Sequence, residues 1–301
     1  MVPGSSIIWM KSVRALTLPP GSKQGVILMK KFGIFLLVLT VVGASASELS
    51  ARDYVIFVHG RSGSNHCGTG TSDVNNYWGS AKNISTSLTK YFVGYDGGSD
   101  PRTWGSCRAQ SSLYSVLESR CTGSNWCKLI CHSAGCYATE YFLDKSSKSY
   151  NIDWVMASSS AAGGSELANL AFWESNSMVD ALKTGNARGS YNHNDTKGVG
   201  IWALAGYRGV WYDSWYLPGE DDGAVSFHST CGHRSTGSHN VCNQSKYSYH
   251  YIWSGSTNNN NNYSSSKLGY YRTHVGDNSK SINDAAKKEW NDCRNYGWGC
   301  N

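Results

Sequence analysis

Five consecutive apolar residues, Tyr54–Val58, run straight into His59-Gly60. A short run with no polar alternation predicts a strand buried on both faces, as in a parallel sheet covered by helices. Tyr91–Tyr95 is a second candidate strand, and Trp126–Cys131, Ile152–Ala157 and Gly200–Gly206 supply three more. Between them the apolar period changes. Leu113, Val116 and Leu117 fall at helical spacing within Gln110–Arg120, and Tyr137, Tyr141 and Phe142 share one side of Ala134–Lys145. Ser281–Asn295 reads as a closing helix, favoured by Ala285 and Ala286. Strands alternating with helices predict an α/β domain, a mostly parallel sheet with helices on both faces. No internal repeat or linker interrupts it. Ser254–Ser266, with five consecutive Asn from Asn258, reads as a solvated loop insertion.

The beginning of the chain follows another pattern. Lys30 and Lys31 precede the apolar run Phe32–Val42, which ends at Ala44-Ser45-Ala46. A charged start, a short apolar stretch and a small-x-small site are the layout of a secretory signal peptide. Eleven residues of helix reach only about half-way across a bilayer core at ~1.5 Å each, which disfavours an anchor. Residues 1–46 are therefore an N-terminal extension and signal, with Met29 a possible true start, and residues 47–301 a single secreted domain. The formal charge of +6 changes meaning accordingly. Five of the 27 basic residues and none of the 21 acidic ones lie in residues 1–46, leaving 22 against 21. So nearly neutral a domain lacks the basic surface needed to grip phosphates, and no nucleic-acid partner is expected.

All ten cysteines follow residue 46, as an oxidising compartment would favour. Asn83, Asn194, Asn243 and Asn262 head Asn-x-Ser/Thr sequons, each a candidate glycan acceptor. Cys127-x3-Cys131 and Cys231-x10-Cys242 do not form a zinc framework, so disulfides are expected and no metal. Local pairings are Cys67–Cys107, Cys121–Cys127, Cys231–Cys242 and Cys293–Cys300. Cys131 and Cys136 are either buried thiols or a pair.

Those two flank the most informative stretch, Cys131-His132-Ser133-Ala134-Gly135, where a strand passes directly into a helix. This resembles the nucleophile elbow of the α/β-hydrolase superfamily, G-x-S-x-G, with Cys131 in place of the first Gly. A serine on so sharp a turn needs small neighbours two residues to either side, and the following helix aims its N-terminus at developing negative charge. By the same resemblance, His59-Gly60 matches the H-G after a lipase strand. That assigns one oxyanion donor to the backbone N–H of Arg61 and the other to that of Ala134, leaving His59 as a structural turn residue. Gly163-Gly164-Ser165-Glu166-Leu167-Ala168 is similar to a lipase segment after the elbow helix. Leu217–Val225 is similar to the D-G-x-V segment that carries a lipase's triad aspartate. Letter-for-letter matching assigns that role to Asp222, with Asp221 as the fallback; the same residues also make a good acidic turn. Of the nine histidines, His274 in Thr273-His274-Val275-Gly276 falls where the superfamily's base belongs in the order Ser, Asp, His, with His250 next.

The resemblance implies a secreted, lipase- or esterase-like serine hydrolase with an ester or lipid substrate, passing contact with lipid surfaces, and no cofactor. A thioesterase, amidase or lipid-anchor deacylase would use the same triad. A catalytically silent hydrolase-fold binding protein is the alternative of another class. Trp202, Trp211, Tyr212, Trp215 and Tyr216 read equally as pocket lining or as packing.

Overall fold

The computed structural model describes residues 52–171, 174, 176–193, 195–205, 215–218, 221–226, 229–230, 247–251 and 290. The N-terminal extension, the poly-Asn loop and the closing helix apart from Trp290 lie outside them. In chain order the elements are β1 (Tyr54–Val58), β2 (Thr89–Val93), α1 (Ala109–Arg120), β3 (Cys127–His132), α2 (Ala134–Lys145), β4 (Ile152–Ser158), α3 (Glu166–Leu170), α4 (Ser177–Leu182), α5 (Thr184–Gly189), β5 (Gly200–Ala205) and β6 (Tyr247–Tyr251), with single-turn 3-10 segments between β1 and β2. All six strands join one sheet in the order β2-β1-β3-β4-β5-β6, and every pairing is parallel.

The apolar character of β1 follows from its place. It lies between β2 and β3 with all five residues buried. Tyr54, Ile56 and Val58 face one core with Leu113 and Leu117 of α1, Tyr137 and Phe142 of α2, and Leu129, Val155 and Ile201 of neighbouring strands. Val55 and Phe57 face a second core with Ile130, Met156, Trp78, Ile84 and Trp290. The long helices cover the first face. Among the described residues, the 77–84 segment and Trp290 cover the second; the Trp290 indole donates to Ser85 O at 3.0 Å. Each fully buried Leu, Ile or Phe contributes roughly 1.5–3 kcal/mol of burial, so both faces hold the sheet.

Two strands differ from expectation. β2 begins at Thr89 rather than Tyr91 because it is an edge strand, and its first three positions are exposed or half-buried. β6, Tyr247–Tyr251, adds a sixth strand that the apolar pattern does not reveal. Three disulfides are present among the described residues: Cys67–Cys107, Cys121–Cys127 and Cys131–Cys136. The first two match the expected local pairs, and the third resolves the open question at the elbow in favour of a bond. Cys231, Cys242, Cys293 and Cys300 lie outside the described residues. No helix among the described residues is long and apolar enough to cross a membrane.

Candidate active site

From β1 the chain steps to β2 on one side and later to β3 on the other. The sheet's switch point therefore lies between β1 and β3. In open α/β sheets a ligand crevice forms at such a point, beyond the carboxyl ends of the strands. Here those ends are His59-Gly60 and His132-Ser133, brought level by the Val58–Cys131 register.

Ser133 occupies the single residue between β3 and α2. Its backbone has φ 52° and ψ −126°, a conformation costly for a residue with a Cβ, on the order of 1–3 kcal/mol. The surroundings impose it. Ser133 N–H donates to Ser158 O at 3.1 Å, and Ser133 O accepts from Ala161 N–H at 3.1 Å and Cys136 N–H at 3.0 Å. Ser133 stands at the N-cap of α2, yet its side chain makes no capping bond. Ser165, at the N-cap of α3, behaves in the usual way and accepts from Leu167 N–H at 3.2 Å. The Ser133 hydroxyl faces a cavity instead.

Two glycines allow this turn to sit against β1. A Cβ at Gly135 would lie 2.2 Å from His59 O and 2.5 Å from Val58 O; one at Gly60 would lie 2.8 Å from both His132 O and the Ser133 Cβ. These close approaches set the backbone beyond Gly60 beside Ser133. Among the described residues, neither the Arg61 nor the Ala134 backbone N–H donates to a protein acceptor. The Ala134 group belongs to the first turn of α2, where N–H groups lack intrahelical partners and the helix dipole favours negative charge. Tyr77 ties the two sides together: its oxygen accepts from Gly60 N–H at 2.9 Å, and its hydroxyl lies 2.6 Å from His132 Nδ1.

A serine made prominent on a strained strand-to-helix turn, over the C-terminal ends of a parallel sheet, decides the architecture. The fold is that of the α/β-hydrolases.

No family model matches the chain, and no curated protein matches it. Among solved structures, the mature lipase BlEst2 of Bacillus licheniformis is 21% identical, with a TM-score of 0.46, over 60% of this chain and 80% of that one. In the propeptide form of that lipase, the aligned part is 43% of its length. A metagenomic carboxyl esterase, MGS0156, is 15% identical over 82% of this chain and 77% of its own, with a TM-score of 0.49. The phospholipase PlaB of Legionella pneumophila is 16% identical over 60% and 46%, with a TM-score of 0.40.

The cavity at Ser133 has a volume of about 730 Å³. Its lining is mixed: Arg61, Ser62, Asn75, Asn76 and Tyr77 are polar, and Leu167, Ala168, Ala171, Val179 and Leu182 are apolar. An ion pair between Arg61 and Glu174 stands on its wall. Ala224 and Val225 also line it, and they lead to the expected acid. Asp222 is buried, and its Oδ1 accepts from Ala224 N–H at 2.9 Å and Val225 N–H at 2.8 Å. Asp221, equally buried, accepts from Gly223 N–H at 2.7 Å.

The Asp221-Asp222 turn is anchored by residues whose part in it the sequence does not announce. Arg188 on α5 pairs with Glu166 on α3 at 2.6 Å, both nearly buried, and donates to Ser229 Oγ at 2.7 Å and Gly163 O at 2.9 Å. Ser226 Oγ donates to Glu166 at 2.8 Å, and Ser165 Oγ to Ala224 O at 2.5 Å. Glu166 and Ser165 belong to the Gly-Ser-Glu-Leu-Ala segment, so its position against the acid turn now has a physical reason.

His59 has the structural role expected of it. Its Nδ1 bonds to Gly60 O at 2.8 Å, its Nε2 accepts from Tyr95 N–H at 3.2 Å, and its ring stacks on Tyr95 at 4.1 Å. Burial lowers its pKa to about 4, so it is neutral at pH 7. His274 lies outside the described residues. His250 stands within β6, opposite Leu204 and one residue before the strand ends.

Proposed function

We propose that this chain is a secreted serine hydrolase that cleaves carboxylic esters through an acyl-enzyme. One observation carries the reading: the Ser133 hydroxyl, at the N-cap of α2 but not used as a cap, opens on a cavity beside two backbone N–H groups that have no acceptor among the described residues. In this scheme Ser133 Oγ attacks the ester carbonyl while His274 takes its proton and passes it to the leaving alcohol. Asp222 orients the imidazole and stabilises its charged form. The N–H groups of Arg61 and Ala134 bind the oxyanion, each such donor being worth ~10²–10³ in rate. Water then attacks the acyl-enzyme, again with His274 as base, and releases the acid. The apolar lining residues Leu167, Ala168, Ala171, Val179 and Leu182 suit an acyl chain. Disulfides and a signal-like leader support export, with residues 47–301 as the mature domain.

The test uses protein secreted from Met29, assayed on p-nitrophenyl esters of increasing acyl length and labelled with a fluorophosphonate. Turnover and labelling that both disappear in Ser133→Ala are the expected result. A wild-type protein that neither turns over any ester nor labels would overturn the proposal and leave a silent binding fold. Loss of turnover in His274→Ala but not in His250→Ala would assign the base.

A further inference from the structure

We infer that the Cys131–Cys136 disulfide is a positioning element for Ser133, a tether that holds the nucleophile's turn in its strained backbone conformation. Its catalytic consequence rests on the hydrolase reading above; its mechanical part does not. The bond begins on β3, where Cys131 is held in register with Val58 on one side and Ala157 on the other. It ends on Cys136, the third residue of α2. The ring it closes contains His132, Ser133, Ala134 and Gly135 and nothing else, so strand end and helix start are joined around the turn itself.

The position makes chemical sense of the Cys where the elbow pattern has Gly. A free side chain at residue 131 would need room beside the turn. Here its sulfur is spent in the bond to α2, away from the substrate space: His132 and Ser133 line the cavity, whereas neither cysteine does. Both cysteines are fully buried, so the bond is a constant part of the site. Without it, the turn depends on three backbone hydrogen bonds and on Gly135 pressed against the β1 carbonyls. A backbone at φ 52° and ψ −126° relaxes whenever its supports allow. Loosening it moves the Ser133 hydroxyl and the Ala134 N–H together, and catalytic geometry tolerates little displacement.

The same strand carries an internal control. Cys121–Cys127 spans six positions against five, starts at the other end of β3 and is equally buried. The experiment compares Cys131→Ala/Cys136→Ala with Cys121→Ala/Cys127→Ala in the full chain. Cys131→Gly/Cys136→Ala serves as a second tether-free variant, with the small residue of the elbow pattern restored. Amide hydrogen exchange of peptides covering residues 129–140 reads the turn, and ester kinetics read the chemistry. Losing the tether is expected to speed exchange at the two hydrogen-bonded amides of the turn, Ser133 and residue 136, tenfold or more over the control variant. It is also expected to lower kcat at least tenfold with KM within twofold, while the control variant loses thermal stability but keeps kcat. Elbow amides that exchange no faster than in the control, or an unchanged kcat, would overturn the inference. A wild-type protein inert toward esters and fluorophosphonate would remove the hydrolase reading and leave the exchange comparison to decide on the tether.

Discussion

Replacing Gly135 with Ala tests how tightly the elbow is seated. Within a helix that change normally stabilises, by about 0.5–1 kcal/mol. At Gly135 the added methyl would meet His59 O at 2.2 Å and Val58 O at 2.5 Å. Both are backbone atoms at the end of β1, which is hydrogen-bonded on both sides in the sheet and cannot yield as a side chain can. Overpacking of this kind costs about 1–3 kcal/mol, and backbone overlaps belong at the upper end. After the helix gain, the net expectation is a loss of about 2 kcal/mol. Gly185, in α5, has nothing within 4 Å of its virtual Cβ, so Gly185→Ala should gain a few tenths to 1 kcal/mol. Urea unfolding of both variants beside wild type supplies the signs, and fluorophosphonate labelling reads Ser133. Labelling should fall in Gly135→Ala and stay normal in Gly185→Ala. A Gly135→Ala protein as stable as wild type, labelling at the wild-type rate, would refute the tight seating of α2 on β1.

Three further outcomes follow from the site. Asp222→Asn keeps an oxygen for the two backbone N–H groups, so Tm should move by only a few degrees while kcat drops 100-fold or more; Asp221→Asn should leave most of the activity, and the reverse ranking would transfer the acid role to Asp221. Glu166→Ala removes the carboxylate that both Arg188 and Ser226 bond, and denaturant titration should show a loss of about 3 kcal/mol. His59 is neutral in the fold down to about pH 4, whereas the unfolded chain takes up that proton near pH 6.5. The unfolded state therefore binds more protons between those values, and stability should fall as pH drops from about 6.5 to 4, by on the order of 3 kcal/mol; a pH series in which His59→Asn keeps the same slope would reject this assignment.

How much of this was legible depended on burial. Tyr54–Val58 and Cys127–His132 are central strands buried on both faces, so their letters carry the pattern plainly. The strand-turn-helix at Ser133 was readable because Gly135 is demanded by a backbone approach. β6 was missed because Tyr-Ser-Tyr-His-Tyr alternates aromatic and polar residues within a polar stretch. Its period of two was the available signal. The edge position of β2 hid its first residues in the same way. The Asp222 turn was marked by its Asp-Asp-Gly chemistry, whereas Arg188, in Thr-Gly-Asn-Ala-Arg-Gly, carries no local sign of the Glu166 it meets across the fold. The pairing of Cys131 with Cys136 stayed open because a spacing of five suits either a bond or two thiols until the strand end and the helix start are placed.

The extended form of β3 also acts as a ruler during oxidation. Four cysteines crowd into residues 121–136, and four thiols can join in three ways. Once β3 is laid out at ~3.3 Å per residue, Cys127 and Cys131 stand about 13 Å apart, beyond the ~7 Å that a disulfide can span between Cα atoms. The strand thereby eliminates the bond between its own two cysteines, one of the three pairings; of the two left, the fold holds the one that closes the shorter loops, Cys127 back to the end of α1 and Cys131 forward to α2. Both native bonds are local, so the turn at Ser133 can be closed covalently before β4 and β5 arrive to cover it.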